Sequence, residues 1–436
     1  MVFDILYRIY YGFLNPPTAK KHEDVIRFGL LSASNIAPIA LIAPAKCHPE
    51  TIVAAVAARD KSRAEAYAKK HGIPIVHSNY EDLLNDPSID AIYISLPNAH
   101  HYEWAIKALR AKKHVLLEKP PCSNATEAHS LFAYAKNNKD TILLEAFHTH
   151  FHPAWQTFMS LVHDSSNAGK IRSASAAQYL PKYGFGATDI RWRFDLAGGC
   201  MMDFGTYPMS ILRNVLREEP QAENLSAKAR TVEFASIMKR EEVDEAMEVK
   251  FKTKSGAIGN IFADLRTSCQ WKFPPQVLRG YIPSFGLPKC EVECLEREVE
   301  SPESRGEVAG SIDSGRCFVK RKVTFWNYLM PSIYHRIDVE DEYVVRGDAG
   351  ILKSWKDVQH LNAYTWPKGD IRGTGIEKAW WTSYSYQLEE FVNRIKRRKG
   401  SGVWVDGEES MKQMEAIDLV YNKAGMSVRP STGFQV

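Results

Sequence analysis

Val25-Ile-Arg-Phe-Gly-Leu-Leu31 runs directly into Ser32-Ala33-Ser34-Asn35-Ile36-Ala37. The first seven residues read as a short apolar strand, and Ile36–Ala45 reads as the start of a helix. A small-residue turn between a strand and a helix brings backbone N–H groups to a helix N-terminus, where a pyrophosphate can sit. The usual sequence for such a turn is GxGxxG or GxGxxA. Here Ser32 and Ser34 stand at the two leading glycine positions, and Ala37 fits the last. Serine is still small, and its hydroxyl can donate to phosphate. Ser32, Ser34, Asn35, Ile36 and Ala37 are therefore the candidate phosphate turn, and their place in a strand–turn–helix unit carries the reading.

Working outward, strand and helix alternate. Thr51–Ala58 is small and apolar, like a strand buried on both faces. Lys61–His71 reads as a helix stopped by Gly72. Ile89–Leu96 is a second buried strand, His101–Ala111 a helix, His114–Leu117 a strand, Ala125–Asn137 a helix and Thr141–Phe147 a strand. This alternation specifies an α/β fold, a Rossmann-type doubly wound parallel sheet with helices on both faces. The second strand ends Val56-Ala57-Ala58-Arg59-Asp60. An NAD enzyme places an acid at this strand end to bind the ribose 2′-hydroxyl, but Ala58 holds the slot and Arg59 follows. Arg59 is either a surface turn residue or a partner for the 2′-phosphate of NADP, and the second reading is preferred over NAD.

After Pro153 the texture changes. Lys170–Leu180, Ala246–Lys252, Ala257–Leu265 and Phe318–Trp326 read as strands, and Tyr384–Arg397 and Ser410–Ala424 as helices. Polar residues fill Glu296–Ser314, which reads as an exposed insertion. At 436 residues two domains are expected. The division is a 1–24 extension, a 25–150 dinucleotide-binding domain and a 151–436 α+β domain with a large open, mainly antiparallel sheet. The net charge of +4 gives no concentrated basic patch for nucleic acid. The run Lys396-Arg397-Arg398-Lys399 before Gly400 reads as a solvated helix end. Seven scattered cysteines with no CxxC pair fit reduced thiols in the cytoplasm. The opening MVFDILYRIYYGFLN is too short to span a bilayer and is expected to pack Ile5, Ile9 and Phe13 onto the body.

Three further segments combine. Leu96-Pro-Asn98-Ala-His100-His101 follows one buried strand, and Glu118-Lys119-Pro120 closes the next. Gly198-Gly-Cys-Met-Met-Asp203-Phe-Gly-Thr-Tyr207-Pro208 follows Ile190-Arg-Trp192-Arg193. Together these resemble the glucose–fructose oxidoreductase/inositol dehydrogenase family, most closely its fungal NADP-dependent D-xylose dehydrogenases and dimeric dihydrodiol dehydrogenases. The resemblance runs from about Val25 onward, with insertions between about 270 and 345. It implies an NADP(H)-dependent oxidoreductase of sugars or polyols, assembled as a homodimer or larger homo-oligomer. Lys119, Asp203 and Tyr207 are then the catalytic residues. Tyr207 would be the acid/base, with a pKa drawn down by the Lys119 ammonium. Leu96, Asn98, His101, Glu118 and Lys119 would face the cofactor. His148, His150, Trp192 and Arg193 would meet substrate. His148, His150 and His152 alternate like three imidazoles on one strand face, but the family has no metal there, so none is expected. Two other readings remain: an oxidoreductase acting on a larger aromatic or polyketide carbonyl, and a cofactor-binding regulator without turnover.

Overall fold

The computed structural model describes residues 2–164, 168–232, 242–268, 286–300 and 315–435. The first sheet contains β1 (Ile26–Leu31), β2 (Thr51–Ala57), β3 (Ile75–His77), β4 (Ala91–Ile94), β5 (His114–Leu117) and β6 (Leu143–Glu145). All its pairings are parallel, in the order β3-β2-β1-β4-β5-β6. The order reverses beside β1, which opens a crevice at the strands' carboxyl ends. The connecting helices are α2 (Ala43–Cys47), α3 (Lys61–His71), α4 (Tyr80–Asn85), α5 (His101–Arg110) and α6 (Ala125–Asn137), after an N-terminal α1 (Val2–Ile9). Local chemistry sets the ends. Asp60 caps α3 by accepting from the Ser62 and Arg63 amides, and Gly72 closes it at φ 68°. The sequence reading missed β3 and α4, both too short to show a period.

α7 (Pro153–Val162) leads into the second sheet, whose strands are β7 (Ile171–Pro181), β8 (Leu225–Thr231), β9 (Asp244–Lys252), β10 (Ile258–Thr267), β11 (Lys289–Cys294), β12 (Arg297–Val299), β13 (Arg316–Trp326), β14 (Arg336–Gly347) and β15 (Gly350–Leu361). Their order is β15-β14-β13-β11-β7-β10-β9-β8, with β12 on β13. Every pairing is antiparallel except β7 with β10. The stretch expected as insertions between about 270 and 345 thus supplies β11 to β14 of the sheet itself. Within Glu296–Ser314, β12 is paired sheet rather than exposed insertion, and 301–314 lie outside the described residues.

α8 (Thr206–Leu216) packs on the inner face of β7 and β10. The last helices, α9 (Ser383–Ile395) and α10 (Gly407–Lys423), return to the first sheet's layer. Phe391 of α9 meets Phe28 of β1 with centroids 6.0 Å apart, and His48 Nε2 lies 2.7 Å from Glu389 Oε2. The basic run after α9 is not simply solvated. Lys396 Nζ donates to Asp24 Oδ2 and Glu50 Oε1, each at 2.7 Å, and Arg398 also pairs with Glu50. These bonds fasten the helix end to the starts of β1 and β2. In the N-terminal segment Ile5, Ile9 and Phe13 are half-buried, as expected, and buried Arg8 lies over the Tyr364 ring at 3.8 Å. Among the described residues no helix is long and apolar enough to cross a membrane.

Candidate active site

β5 ends at Leu117, and Glu118-Lys119-Pro120 leaves the carboxyl edge of the first sheet through a cis Lys119–Pro120 bond. Lys119 Nζ donates to Asp203 Oδ1 at 2.8 Å and to its backbone oxygen at 2.9 Å. Arg191 Nε donates to the other carboxylate oxygen at 2.5 Å. Burial opposes the charge on Asp203, but Lys119 and Arg191 outweigh it and hold the carboxyl well below the usual range. Met201–Gly205 form one wide helical turn leading into α8, so Asp203 and Tyr207 reach the same space from one face. The Lys119 ammonium lies 4.7 Å from the Tyr207 ring centre, over the ring face rather than at the hydroxyl. The expected lowering of the Tyr207 pKa is therefore not what this geometry produces. Burial, then Glu118, Asp203 and Glu145, push the phenol well above its ordinary value.

The segment that carries Asp203 is clamped from behind. Arg429 Nε donates to Gly198 O at 2.6 Å, and its Nη2 pairs with Asp244 Oδ1 at 2.7 Å. Asp244 Oδ2 accepts from the Met201 amide at 2.6 Å, and Tyr421 Oη donates to Oδ1 at 3.0 Å. The Arg429 and Asp244 side chains are both wholly buried. Gly199 lies in the left-handed region at φ 128°, and a Cβ there would collide with Asp244, Arg429 and Tyr421. That is the physical reason for glycine at this position.

At the phosphate turn Ser32 adopts φ 101°, a conformation that favours glycine. Ser34 Oγ accepts from the Ala37 amide at 3.3 Å and lies 2.8 Å from Ser95 Oγ. Asn35 is exposed and Ile36 half-buried. Helix α3 braces the turn: Arg63 Nη2 donates to Ala33 O at 3.1 Å, and Tyr67 Oη to Ser34 O at 2.9 Å. Arg59 is exposed just past the end of β2, outside α3 and four residues before Arg63. Sequence reasoning missed Arg63, which reaches the turn only through the fold. The turn keeps small residues and a glycine-like backbone, so these residues fit a dinucleotide.

Other expected residues divide. Asn98 Nδ2 donates to Ala197 O at 3.0 Å, tying the loop after β4 to the segment before Gly198. His101 is buried between Leu96 O and Pro120 O, at 2.9 and 2.8 Å. Burial lowers its pKa to about 4, so the neutral ring serves one carbonyl at a time and braces two loops rather than facing a ligand. Glu118 accepts from Tyr93 Oη at 2.5 Å, inside the sheet's edge. Trp192, expected at substrate, belongs to a small core with Cys200, Val232, Ala263 and Leu265. Arg193 pairs with Asp195 at the surface, and its neighbour Arg191, which the sequence reading passed over, meets Asp203. The histidines do not share a strand face. β6 ends at Glu145, and His148–Phe151 form a tight helical turn from which the side chains diverge. His148 goes to Tyr207 and Ser383, His150 to Ser210 and the Trp155 ring, and His152 to the Ala154 amide. His150 helps line a cleft of about 750 Å³ with Trp155, Arg213 and Trp404, whereas Lys119, Asp203 and Tyr207 do not border it.

Residues 26–146 match the oxidoreductase family with NAD-binding Rossmann fold, and residues 159–277 match the GFO/IDH/MocA C-terminal domain. A trans-1,2-dihydrobenzene-1,2-diol dehydrogenase of Sus scrofa is 30% identical over 241 residues, 54% of this chain and 67% of that protein. An NADP(+)-dependent D-xylose 1-dehydrogenase of Haloferax volcanii is 40% identical over 186 residues, 43% of this chain. That match spans 56% of the xylose dehydrogenase. Among solved structures, a 3-ketoreductase from Actinomadura kijaniata in complex with NADP superposes with a TM-score of 0.63 at 22% identity, covering 92% of this chain and 98% of that one. The chain belongs to the GFO/IDH/MocA oxidoreductase family.

Proposed function

We propose that the protein is an NADP(H)-dependent dehydrogenase or reductase of a sugar or related polyol, of the D-xylose or trans-dihydrodiol kind. The observation that carries this reading is the convergence of Lys119, Asp203 and Tyr207 at the carboxyl edge of a parallel sheet whose β1 turn fits a dinucleotide. Ser32, Ser34 and the amides of the following turn would hold the pyrophosphate, with Arg59 and Arg63 near the 2′-phosphate. NADP, when bound, supplies the hydride acceptor or donor. Asp203 orients Lys119, whose remaining N–H capacity can take a substrate oxygen. Tyr207 exchanges the hydroxyl proton. Because its acidity is suppressed in the free protein, the phenol is the resting form, suited to protonating a carbonyl oxygen during reduction.

The test is NADPH oxidation or NADP reduction against a panel of aldoses and dihydrodiols. Tyr207→Phe should lower kcat by roughly 10²–10⁴ with NADP binding retained, the range general acid–base catalysis supplies. Near-parent turnover would overturn the assignment of Tyr207. Arg59→Ala should raise KM for NADP far more than for NAD, and equal effects would remove the 2′-phosphate role.

We also infer self-association through the second sheet. Its outer face carries the half-buried Tyr179–Phe262 ring pair, and its edge strand β15 exposes Ile351, Leu352 and Val358. A monomeric mass by light scattering at micromolar concentration would overturn this. The buried free thiols of Cys122, Cys200, Cys290 and Cys294 suit a reducing compartment, and we place the protein in the cytoplasm.

A further inference from the structure

Among the described residues, one side chain lies within hydrogen-bond distance of the Tyr207 hydroxyl: His148, whose Nε2 is 3.3 Å from it. Its other ring nitrogen, Nδ1, is 2.7 Å from Ser383 Oγ at the start of α9. The imidazole stacks on the Tyr384 ring at 4.1 Å, with 29° between the planes. His148 and Ser383 are each 1% exposed, so water does not compete for these bonds. Three separate pieces of chain, the turn after β6, the head of α8 and the head of α9, are thus brought together around one phenolic oxygen.

The charged groups around that oxygen make a phenolate costly. Glu118, Asp203 and Glu145 all oppose it, Arg191 favours it, and Lys119 gives two of its N–H donors to Asp203 and faces the ring. Tyr384 and Tyr328 also pack nearby as neutral phenols. A proton carrier in this setting needs a donor aimed at its oxygen, present when the proton has left and unable to take the proton itself. A neutral imidazole with hydrogen on Nε2 meets that need. Burial, then Lys119 and His150, lower the His148 pKa to about 3, so the ring stays neutral over the working pH range. Which nitrogen carries the hydrogen is then set by the partner at the other one. A serine hydroxyl can donate to Nδ1, which leaves the hydrogen on Nε2.

We propose that His148, with its tautomer set by Ser383, is the positioning residue that orients the Tyr207 hydroxyl toward substrate and stabilises the phenolate left when the proton is given up. This rests on the reading of Tyr207 as the proton carrier. The proton account closes without a further acceptor. In reduction the Tyr207 proton goes to the substrate oxygen as hydride reaches the carbonyl carbon. His148 keeps its Nε2–H throughout and only donates to the oxygen left behind. In oxidation the same bond holds the phenolate that receives the substrate proton.

The first measurement needs no substrate. The 15N chemical shifts of histidine-labelled protein, with His148→Gln to assign the ring, should report the Nε2–H tautomer, and Ser383→Ala should shift the ring toward the Nδ1–H form. An Nδ1–H ring in the parent would overturn the proposal. The second is the pH profile of NADP reduction with D-xylose or the dihydrodiol that turns over. His148→Leu should move the inflection upward by about one to two pH units, the worth of one hydrogen bond to a charged group. His148→Gln, which retains an N–H donor, should move it less. Ser383→Ala should move it in the same direction and serves alone if His148→Leu does not fold. In a Tyr207→Phe background the change at 148 should add no further loss. An inactive Tyr207→Phe with an unmoved inflection in His148→Leu and Ser383→Ala removes the role of His148 and leaves that of Tyr207 standing. A Tyr207→Phe variant with near-parent turnover removes both.

Discussion

The two sheets differ in how many of their faces are covered by helices among the described residues. β1, β4 and β5 of the first sheet are covered by helices on both faces, so Phe28, Leu30, Ile92, Ile94, Val115 and Leu117 are all inaccessible to solvent. Among the described residues, the second sheet packs one face against α7 and α8, and no helix covers the other. On β13, Val323 and Phe325 point inward and are buried, while Lys322, the residue before Val323, pairs with Glu291 of β11 at 2.8 Å. Across β14 and β15, on the same side as Lys322, Lys356 pairs with Glu340. A sheet sealed on both sides is apolar along its whole length, and one sealed on a single side is written in alternation and cross-strand charge.

The sharpest way to break the comparison is at the seam, where Arg429 and Asp244 bind the second sheet to the segment carrying Asp203. Arg429→Ala leaves a buried carboxylate unpaired and should cost about 3–5 kcal/mol in urea unfolding. A loss under about 1 kcal/mol would show that the seam is held elsewhere. Next come two matched truncations, Phe28→Ala in the first sheet and Phe325→Ala in the second, both wholly buried. Each should cost about 3–5 kcal/mol, because packing on an inner face is the same whatever lies outside it. A much smaller cost for Phe325→Ala would mean that the second sheet is loosely filled.

A third test is pH. Glu145, at the end of β6, is pushed up to about 8 by burial, reinforced by the Glu409 carboxylate. Its folded pKa lies above its unfolded value, so the folded state binds the extra proton. Its contribution is fully present below the unfolded carboxylate pKa and is lost as pH rises toward 8. Between about pH 5 and 8 this group should lower stability by up to about 1.4 kcal/mol per pH unit, and Glu145→Gln should remove that slope. An identical slope in the variant would assign the carboxyl an ordinary pKa. The smallest effect belongs to the open face. Lys322→Ala removes a partly exposed pair and should change stability by less than about 1 kcal/mol. A larger loss that depends on protein concentration would instead place this face in a subunit interface.

What the sequence revealed follows from the same difference. α3, β5 and α6 lie where cap residues and apolar runs put them. β14 and β15 escaped notice because their charged residues, such as Glu340 and Lys356, pair with each other across strands and mimic loop composition. Lys119, Asp203 and Tyr207 were legible as motifs, and the structure brings them together. Arg191, Arg63 and the His148–Ser383 contact were not legible in that way. Trp192 and Arg193 drew attention ahead of Arg191 within one short segment, and which of the three turns inward depends on the tight turn from Ile190 to Trp192. Ser383 lies 235 residues from His148, a partnership that no local pattern encodes.

The clamp on Gly198 has a consequence for biosynthesis. Arg429 reaches Gly198 across a sequence separation of 231 residues. While the chain is being made, the first sheet can form as soon as β6 has left the ribosome, since all six strands lie before residue 146. The segment carrying Asp203 emerges soon afterwards but stays unfastened until translation has passed Arg429. During that interval a nascent chain has a place for a dinucleotide and no finished reaction centre. A ribosome stalled in the region of α9 would therefore display a cofactor-binding layer without turnover.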